Sequence, residues 1–212
     1  MEDTKRQHKI LSNFKDGQFP AKFLFGGALI NGDCLEVMPN IKDKSINLIL
    51  ADLPYGTTAC SWDTIIPLDR LWSEYNRIIK DDGIIVLTAS QPFTTKLISS
   101  NYEMFKYSWV WDKVSAANFM NIKNRPFKTH EDVLVFSKTA NFTFNPQRVS
   151  RSEMSLKRDG IGTSRVVKRN VRVIEHYGID MGNAIPQTWS NEDGMKHPID
   201  IIQFNVAEKR AL

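Results

Sequence analysis

An aspartate, a proline and a tyrosine close an apolar run in Ala51-Asp52-Leu53-Pro54-Tyr55-Gly56-Thr57-Thr58, which follows directly on Ile46–Leu50. At this spacing the residue types can hold a flat molecule that carries an amino group. Asp52 supplies carboxylate acceptors. The carbonyls of Leu53 and Pro54, past the end of a strand ladder, need partners other than a neighbouring strand. Pro54 fixes its own φ and keeps Leu53 out of the helical region, so the turn is stiff. Tyr55 offers a ring for stacking, and Gly56 leaves room for close approach. A planar heterocycle with an exocyclic NH2 group satisfies the set. Its face lies on Tyr55 while its amino hydrogens reach Asp52 and a main-chain carbonyl.

Such a cluster needs a frame. Ile46–Ala51 is a continuous apolar run of buried-strand length. Leu68, Leu71, Trp72, Tyr75, Ile78 and Ile79 recur at helical spacing, and the helix is predicted to close at Asp81-Asp82-Gly83, with Gly83 as its stop. Ile84–Ala89 is the next buried strand. Ser90, ahead of Gln91-Pro92, marks the start of a helix through Phe93–Ser100. Tyr107–Trp111 and Asp132–Ser137 read as further strands, with Trp109 and Trp111 assigned to the core. Phe25-Gly26-Gly27-Ala28 lacks the spacing of a phosphate-binding loop and reads as entry to the core, and His130 as a strand-entry residue. Strands alternating with helices predict an α/β fold with a mostly parallel sheet. Ligands of such sheets bind beyond the carboxyl ends of strands, where Asp52–Tyr55 falls.

The 212 residues suffice for one domain with a sizeable core, or one domain carrying a smaller insert. Hydrophobic and charged fractions of 42% and 25% argue against wholesale disorder. No apolar run approaches the ~20 residues of a membrane span, and the first residues lack the apolar stretch of a signal peptide. Cys34 and Cys60 form no Cys-x-x-Cys pair and the four histidines are scattered. The expectation is a cytoplasmic protein without a metal, in which Cys60 is structural. Charge is concentrated. Arg148, Arg151, Lys157, Arg158, Arg165, Lys168, Arg169 and Arg172 stand against two acids, Glu153 and Asp159, in one segment with Gly160 and Gly162. This stretch reads as a mobile basic insert suited to a phosphate backbone, or as a solvated surface.

Asp52-Leu53-Pro54-Tyr55-Gly56 resembles the catalytic Asp/Asn/Ser-Pro-Pro-Tyr motif of the amino-group (N-4/N-6) DNA methyltransferases, with Leu53 in place of the first proline. Asn31-Gly32-Asp33-Cys34-Leu35, Trp62-Asp63, Gly83–Ser90, Trp109–Lys113 and His130-Glu131 before Asp132–Lys138 follow the order of the β-type subgroup. The likeness covers roughly residues 28 to 140. It implies a Rossmann-like methyltransferase sheet, S-adenosylmethionine as methyl donor and double-stranded DNA as partner, with the target base extruded from the duplex. The leading Asp favours adenine N6 over cytosine N4, for which Ser is more usual. The roles implied are catalytic for Asp52, Pro54 and Tyr55, and substrate-binding for Leu53, Gly56, Arg165, Lys168 and Arg169. Asp33 and Ser90 would contact the cofactor; each also reads as a turn or helix cap. The same likeness divides the chain into an N-terminal extension (1–22), a catalytic region (23–140), a target-recognition region (141–196) and a C-terminal segment (197–212). After His197-Pro198 the sequence continues Ile-Asp-Ile and reaches Leu212 without the Gly-rich cofactor loop that the subgroup places last. The expectation is therefore an incomplete cofactor site, in a truncated product or in a subunit that pairs with a copy of itself or with a complementing partner.

Overall fold

A computed structural model describes residues 14, 22–24, 27–117, 123–124, 126–159, 163–167, 187–191 and 193–204. They divide between two compact units, residues 1–144 with 200–212, and residues 145–199.

In the first unit, β1 (Lys22–Leu24) and β2 (Gly27–Leu29) form an antiparallel hairpin. Asp33 then caps α1 (Cys34–Val37), its Oδ1 accepting from the Leu35 amide at 2.8 Å. Next come β3 (Ile46–Asp52), α2 (Leu68–Ile78), β4 (Ile79–Ala89), α3 (Phe93–Ser100), β5 (Phe105–Ala117) and β6 (Lys128–Phe136). The second unit holds β7 (Val149–Ser150), α4 (Glu153–Asp159), β8 (Thr163–Val167), β9 (Gln187–Asn191) and β10 (Met195–Lys196). β7 pairs with β10 and β8 with β9, both antiparallel. Arg148 grips Asp193 through two hydrogen bonds of 2.5 and 2.9 Å. The basic stretch thus carries a helix and paired strands where an irregular insert was expected. Lys168, Arg169 and Arg172 lie outside the described residues.

Strand β11 (Ile201–Gln203) belongs to the first unit, whose central sheet has the order β11-β5-β6-β4-β3. β3 with β4 and β11 with β5 are parallel, while β6 runs antiparallel to both its neighbours. Four of the five strands therefore share one direction, the mostly parallel α/β sheet that the alternation of elements predicts.

Periodicity explains the packing. α2 buries Leu71, Trp72, Tyr75 and Ile78, and α3 buries Phe93, Thr94 and Leu97. They cover alternate residues of the sheet, Ile85, Leu87 and Ala89 of β4 with Leu134 and Phe136 of β6. Trp72 packs on Phe136 with ring centroids 4.9 Å apart, and its indole donates to Ser100 Oγ at 2.8 Å. Each fully buried large apolar side chain contributes about 1.5–3 kcal/mol, so this layer fixes where the strand ends lie. On the other face of β3, Leu48 and Leu50 remain 55% and 70% exposed.

Several elements differ from expectation. α2 stops at Ile78, and Gly83 lies inside β4 rather than at a helix stop. A Cβ at Gly83 would meet Ile79 Cγ1 at 2.7 Å and the Asn47 carbonyl at 3.0 Å, so the glycine serves a close backbone approach. Pairing passes from Ile46–Ile79 directly to Leu48–Ile84, which leaves Lys80–Gly83 out of register. Ser90 starts the next helix only through its carbonyl, which accepts from the Thr94 amide; Pro92 holds the cap position without a side-chain bond. Trp109 and Trp111 are half-buried and outside the buried core, since β5 is flanked on one side by the three-residue β11. Trp109 meets Tyr107 edge-on at 5.1 Å. In the N-terminal extension, Phe14 is buried and forms a bridge with Ile41. No described helix is long and apolar enough to cross a membrane, and the described residues hold no cluster of metal-ligating side chains.

Candidate active site

The parallel register of β3 and β4 sets Asp52, the last residue of β3, opposite Thr88. Facing residues on paired strands project to the same side of a sheet, and the Thr88 hydroxyl donates to Asp52 Oδ1. The stiff Leu53-Pro54 turn then brings Tyr55 back over the pair. Its phenol donates to Asp52 Oδ1 at 2.9 Å, with Thr88 Oγ1 at 3.0 Å. The Tyr55 ring stacks on Phe93, the first residue of α3, at 5.4 Å and 22°. Two strand ends and one helix start thus converge on a single carboxylate. Burial pushes the Tyr55 phenol well above the ordinary tyrosine range; the negative Asp52 adds to the rise and the Thr88 hydrogen bond works against it. Tyr55 is therefore a neutral donor at every working pH. Asp52 is exposed, so its carboxylate faces solvent.

The turn is anchored from below and behind. Leu53 is buried in the core under α2 and α3. Gly56 has φ +67°, and a Cβ there would lie 2.9 Å from Ile65 Cγ1. Backbone conformation and space both demand glycine. Beyond it, the carboxylate of Asp63 gathers the turn. Oδ1 accepts from the Gly56 amide at 2.8 Å. Oδ2 accepts from the amides of Thr57 (2.9 Å) and Thr58 (2.7 Å) and from the Thr58 hydroxyl (2.7 Å). The Thr58 hydroxyl first, and the Gly56 amide next, hold the Asp63 carboxyl down at about 2. The Asp63 amide in turn donates to the Cys60 carbonyl at 3.0 Å. Cys60 itself is exposed, and so is Trp62, at 72%.

Asp52, Leu53, Pro54, Tyr55 and Gly56 form one continuous turn. Ser90 is buried at the end of β4, two residues beyond Thr88, while Asp33 is exposed at the start of α1. Arg165 lies in β8, in the other unit; Lys168 and Arg169 are outside the described residues. Sequence reasoning assigned nothing to Thr88, whose part depends on the strand register. It noted Trp62-Asp63 only as part of a motif order, although an acid five to seven residues after Gly-Thr-Thr is a signal of a loop folding back on its own amides. A further link, Thr94 Oγ1 to Asp132 Oδ2 at 2.6 Å, ties α3 to β6. Lys113 pairs with Glu131 and lies 4.8 Å over the Trp111 ring.

No family model matches the chain. The Type II methyltransferase M1.MboII of Moraxella bovis is 27% identical over 130 residues, covering 55% of this chain and 48% of that protein. The Type II methyltransferase M.HpaI of Haemophilus parainfluenzae is 26% identical over 136 residues, covering 57% and 42%. The chain thus spans about half the length of the curated relatives it matches. Among solved structures, the PvuII DNA methyltransferase (cytosine-N4-specific) aligns with a TM-score of 0.46 at 14% identity, over 85% of this chain and 57% of its own. The M1.HpyAVI–SAM complex aligns with a TM-score of 0.38 at 18% identity, over 51% and 52%. Over slightly more than half of its length, the chain is thus similar in sequence to Type II methyltransferases.

Proposed function

We propose that the chain carries the base-binding and catalytic part of a DNA methyltransferase that transfers a methyl group from S-adenosylmethionine to the exocyclic N6 of adenine. The observation that carries this reading is the solvent-facing Asp52 carboxylate at the end of β3, braced by Tyr55 and Thr88 and followed by the Pro54 carbonyl.

The target base must leave the stack to reach such a site. Asp52 and the Pro54 carbonyl accept hydrogen bonds from the amino group, which keeps its lone pair directed outward. They also stabilise the positive charge that grows on nitrogen as the new N–C bond forms and the methyl–sulfur bond breaks, the bonding pair leaving with sulfur as a neutral thioether; one amino proton then passes to solvent. Tyr55 supplies an aromatic surface beside the base, and stacking of this kind contributes ~1–3 kcal/mol per base. Leu53 and Gly56 shape the turn that aligns these groups. Alignment is most of what catalysis requires here. The donor's sulfonium supplies an already activated methyl group. Its ribose hydroxyls and ammonium group call for polar partners, and the carboxylate of Asp33 with the hydroxyl of Ser90 fits that need. Arg165, Lys168 and Arg169 would hold the phosphate backbone of double-stranded DNA.

The test is transfer of labelled methyl from S-adenosylmethionine to DNA, followed by digestion to nucleosides. N6-methyldeoxyadenosine supports the reading, and N4-methyldeoxycytidine would redirect it to cytosine. Because the chain spans about half of its relatives, a second reading is a partner-dependent or truncated module that binds DNA without autonomous catalysis. Absence of transfer by the chain alone, with transfer regained on adding a complementing subunit, would favour it.

A further inference from the structure

Trp62 is among the most exposed large apolar side chains of the described residues, at 72%. A tryptophan on a flexible loop would have many ways to fold down on nearby apolar surface. This one is mounted on a turn with little freedom. Its neighbour Asp63 is only 8% exposed and takes four hydrogen bonds from residues 56–58, while its amide closes on Cys60. Gly56 is locked over Ile65 at the other end of the same turn. The turn begins at Tyr55, which is bonded to Asp52. Consecutive Cα atoms lie about 3.8 Å apart, so an indole adjacent to Asp63 is held within a few residues' reach of the base-binding turn.

We infer that Asp63 pins the 56–63 turn as a rigid mount that presents the Trp62 indole to DNA beside the extruded base. This rests on the reading of the chain as a DNA methyltransferase. Extrusion leaves a gap in the stack and unstacked neighbouring bases, and aromatic side chains contact such bases whatever their identity. The carboxylate suits the mounting role because its two oxygens satisfy converging amides that would otherwise have to be hydrated. It is ionised throughout the working pH range, so the mount does not loosen near neutrality.

The experiment measures the affinity of the full chain for duplex DNA of mixed sequence, at fixed salt, for wild type, Trp62→Ala, Trp62→Phe, Asp63→Asn and the double variant Trp62→Ala with Asp63→Asn. Thermal melting is followed in parallel. Trp62→Ala is expected to weaken binding about tenfold, as removal of one stacked ring would, with an unchanged melting temperature. Trp62→Phe restores most of the loss. Asp63→Asn weakens binding similarly, and the double variant is no weaker than the poorer single one, since both act through the same indole. Unchanged affinity in Trp62→Ala, or no DNA binding by the wild type, overturns the inference. Additive losses in the double variant overturn the mounting role of Asp63. Methyl transfer is scored separately. A wild type that binds DNA through Trp62 but transfers no methyl refutes the catalytic reading alone.

Discussion

The phenol of Tyr55 donates to the Asp52 carboxylate at 2.9 Å while its ring lies on Phe93. One side chain therefore joins the end of β3 to the start of α3. Hydroxyl and ring have separable parts, and two substitutions should tell them apart. Tyr55→Phe keeps the stack and loses the hydrogen bond, which costs about 1 kcal/mol of stability. Tyr55→Ala loses both and should cost about 3 kcal/mol, the bottom of the range for large aromatic truncations because the site is half-buried. Urea unfolding of the three proteins checks the order, and equal losses would place the whole effect in the phenol.

Asp52→Ala is expected to lower methyl transfer at least about 100-fold, the usual consequence of removing a group that faces developing charge. Asp52 is exposed, so the melting temperature should shift by only a few degrees. Initial rates with labelled S-adenosylmethionine, beside a thermal melt, distinguish a chemical from a folding defect.

Thr88→Val preserves the β-branched shape on β4 but removes the hydroxyl from Asp52 Oδ1. The turnover rate should fall by roughly three- to tenfold, the value of one hydrogen bond, with little change in KM for DNA. Thr88→Ser should restore the rate. A loss in both variants alike would point to packing.

Asp63 gives an acid limb to stability. Its folded carboxyl is held at about 2, below the ordinary 3.8. A depressed folded value stabilises the fold above the unfolded value, and the contribution disappears as pH falls through the folded one. The melting-temperature gap between wild type and Asp63→Asn should therefore be full at pH 5 and above. It should narrow between about 4 and about 2. A gap that stays constant across that window would show that another group controls it.

Replacing Arg165, Lys168 and Arg169 with Ala should reduce the dependence of DNA affinity on salt. Every phosphate that a cation no longer neutralises flattens the slope of log K against log salt by about 0.9, so the triple variant should flatten it by about 2.7. Fluorescence anisotropy over a salt series measures it, and an unchanged slope means that these residues are only solvated surface.

The turn proposed to hold the base was legible because it is local. Asp52, Pro54 and Tyr55 are neighbours in sequence, and what they offer follows from residue type. Apolar periodicity likewise located α2, α3 and the strands around them. Thr88 was not legible, because its relation to Asp52 is set by pairing between strands 36 residues apart in sequence. Gly83 misled for a related reason. A glycine after a helical pattern looks like a stop, yet here it admits the Asn47 carbonyl from the adjacent segment. Asp33 offered two readings to sequence, and the Leu35 amide bond supplies one of them, the cap.

β3 is the outer strand of the central sheet among the described residues, and it presents Leu48 and Leu50 to solvent. An apolar outer strand is a template for pairing with another chain. Concentrated solutions are therefore expected to self-associate along this strand, and more readily as salt is raised, because added kosmotropic salt strengthens apolar burial. Handling the protein dilute, or with a lysine at position 48, would keep it monodisperse for the measurements above.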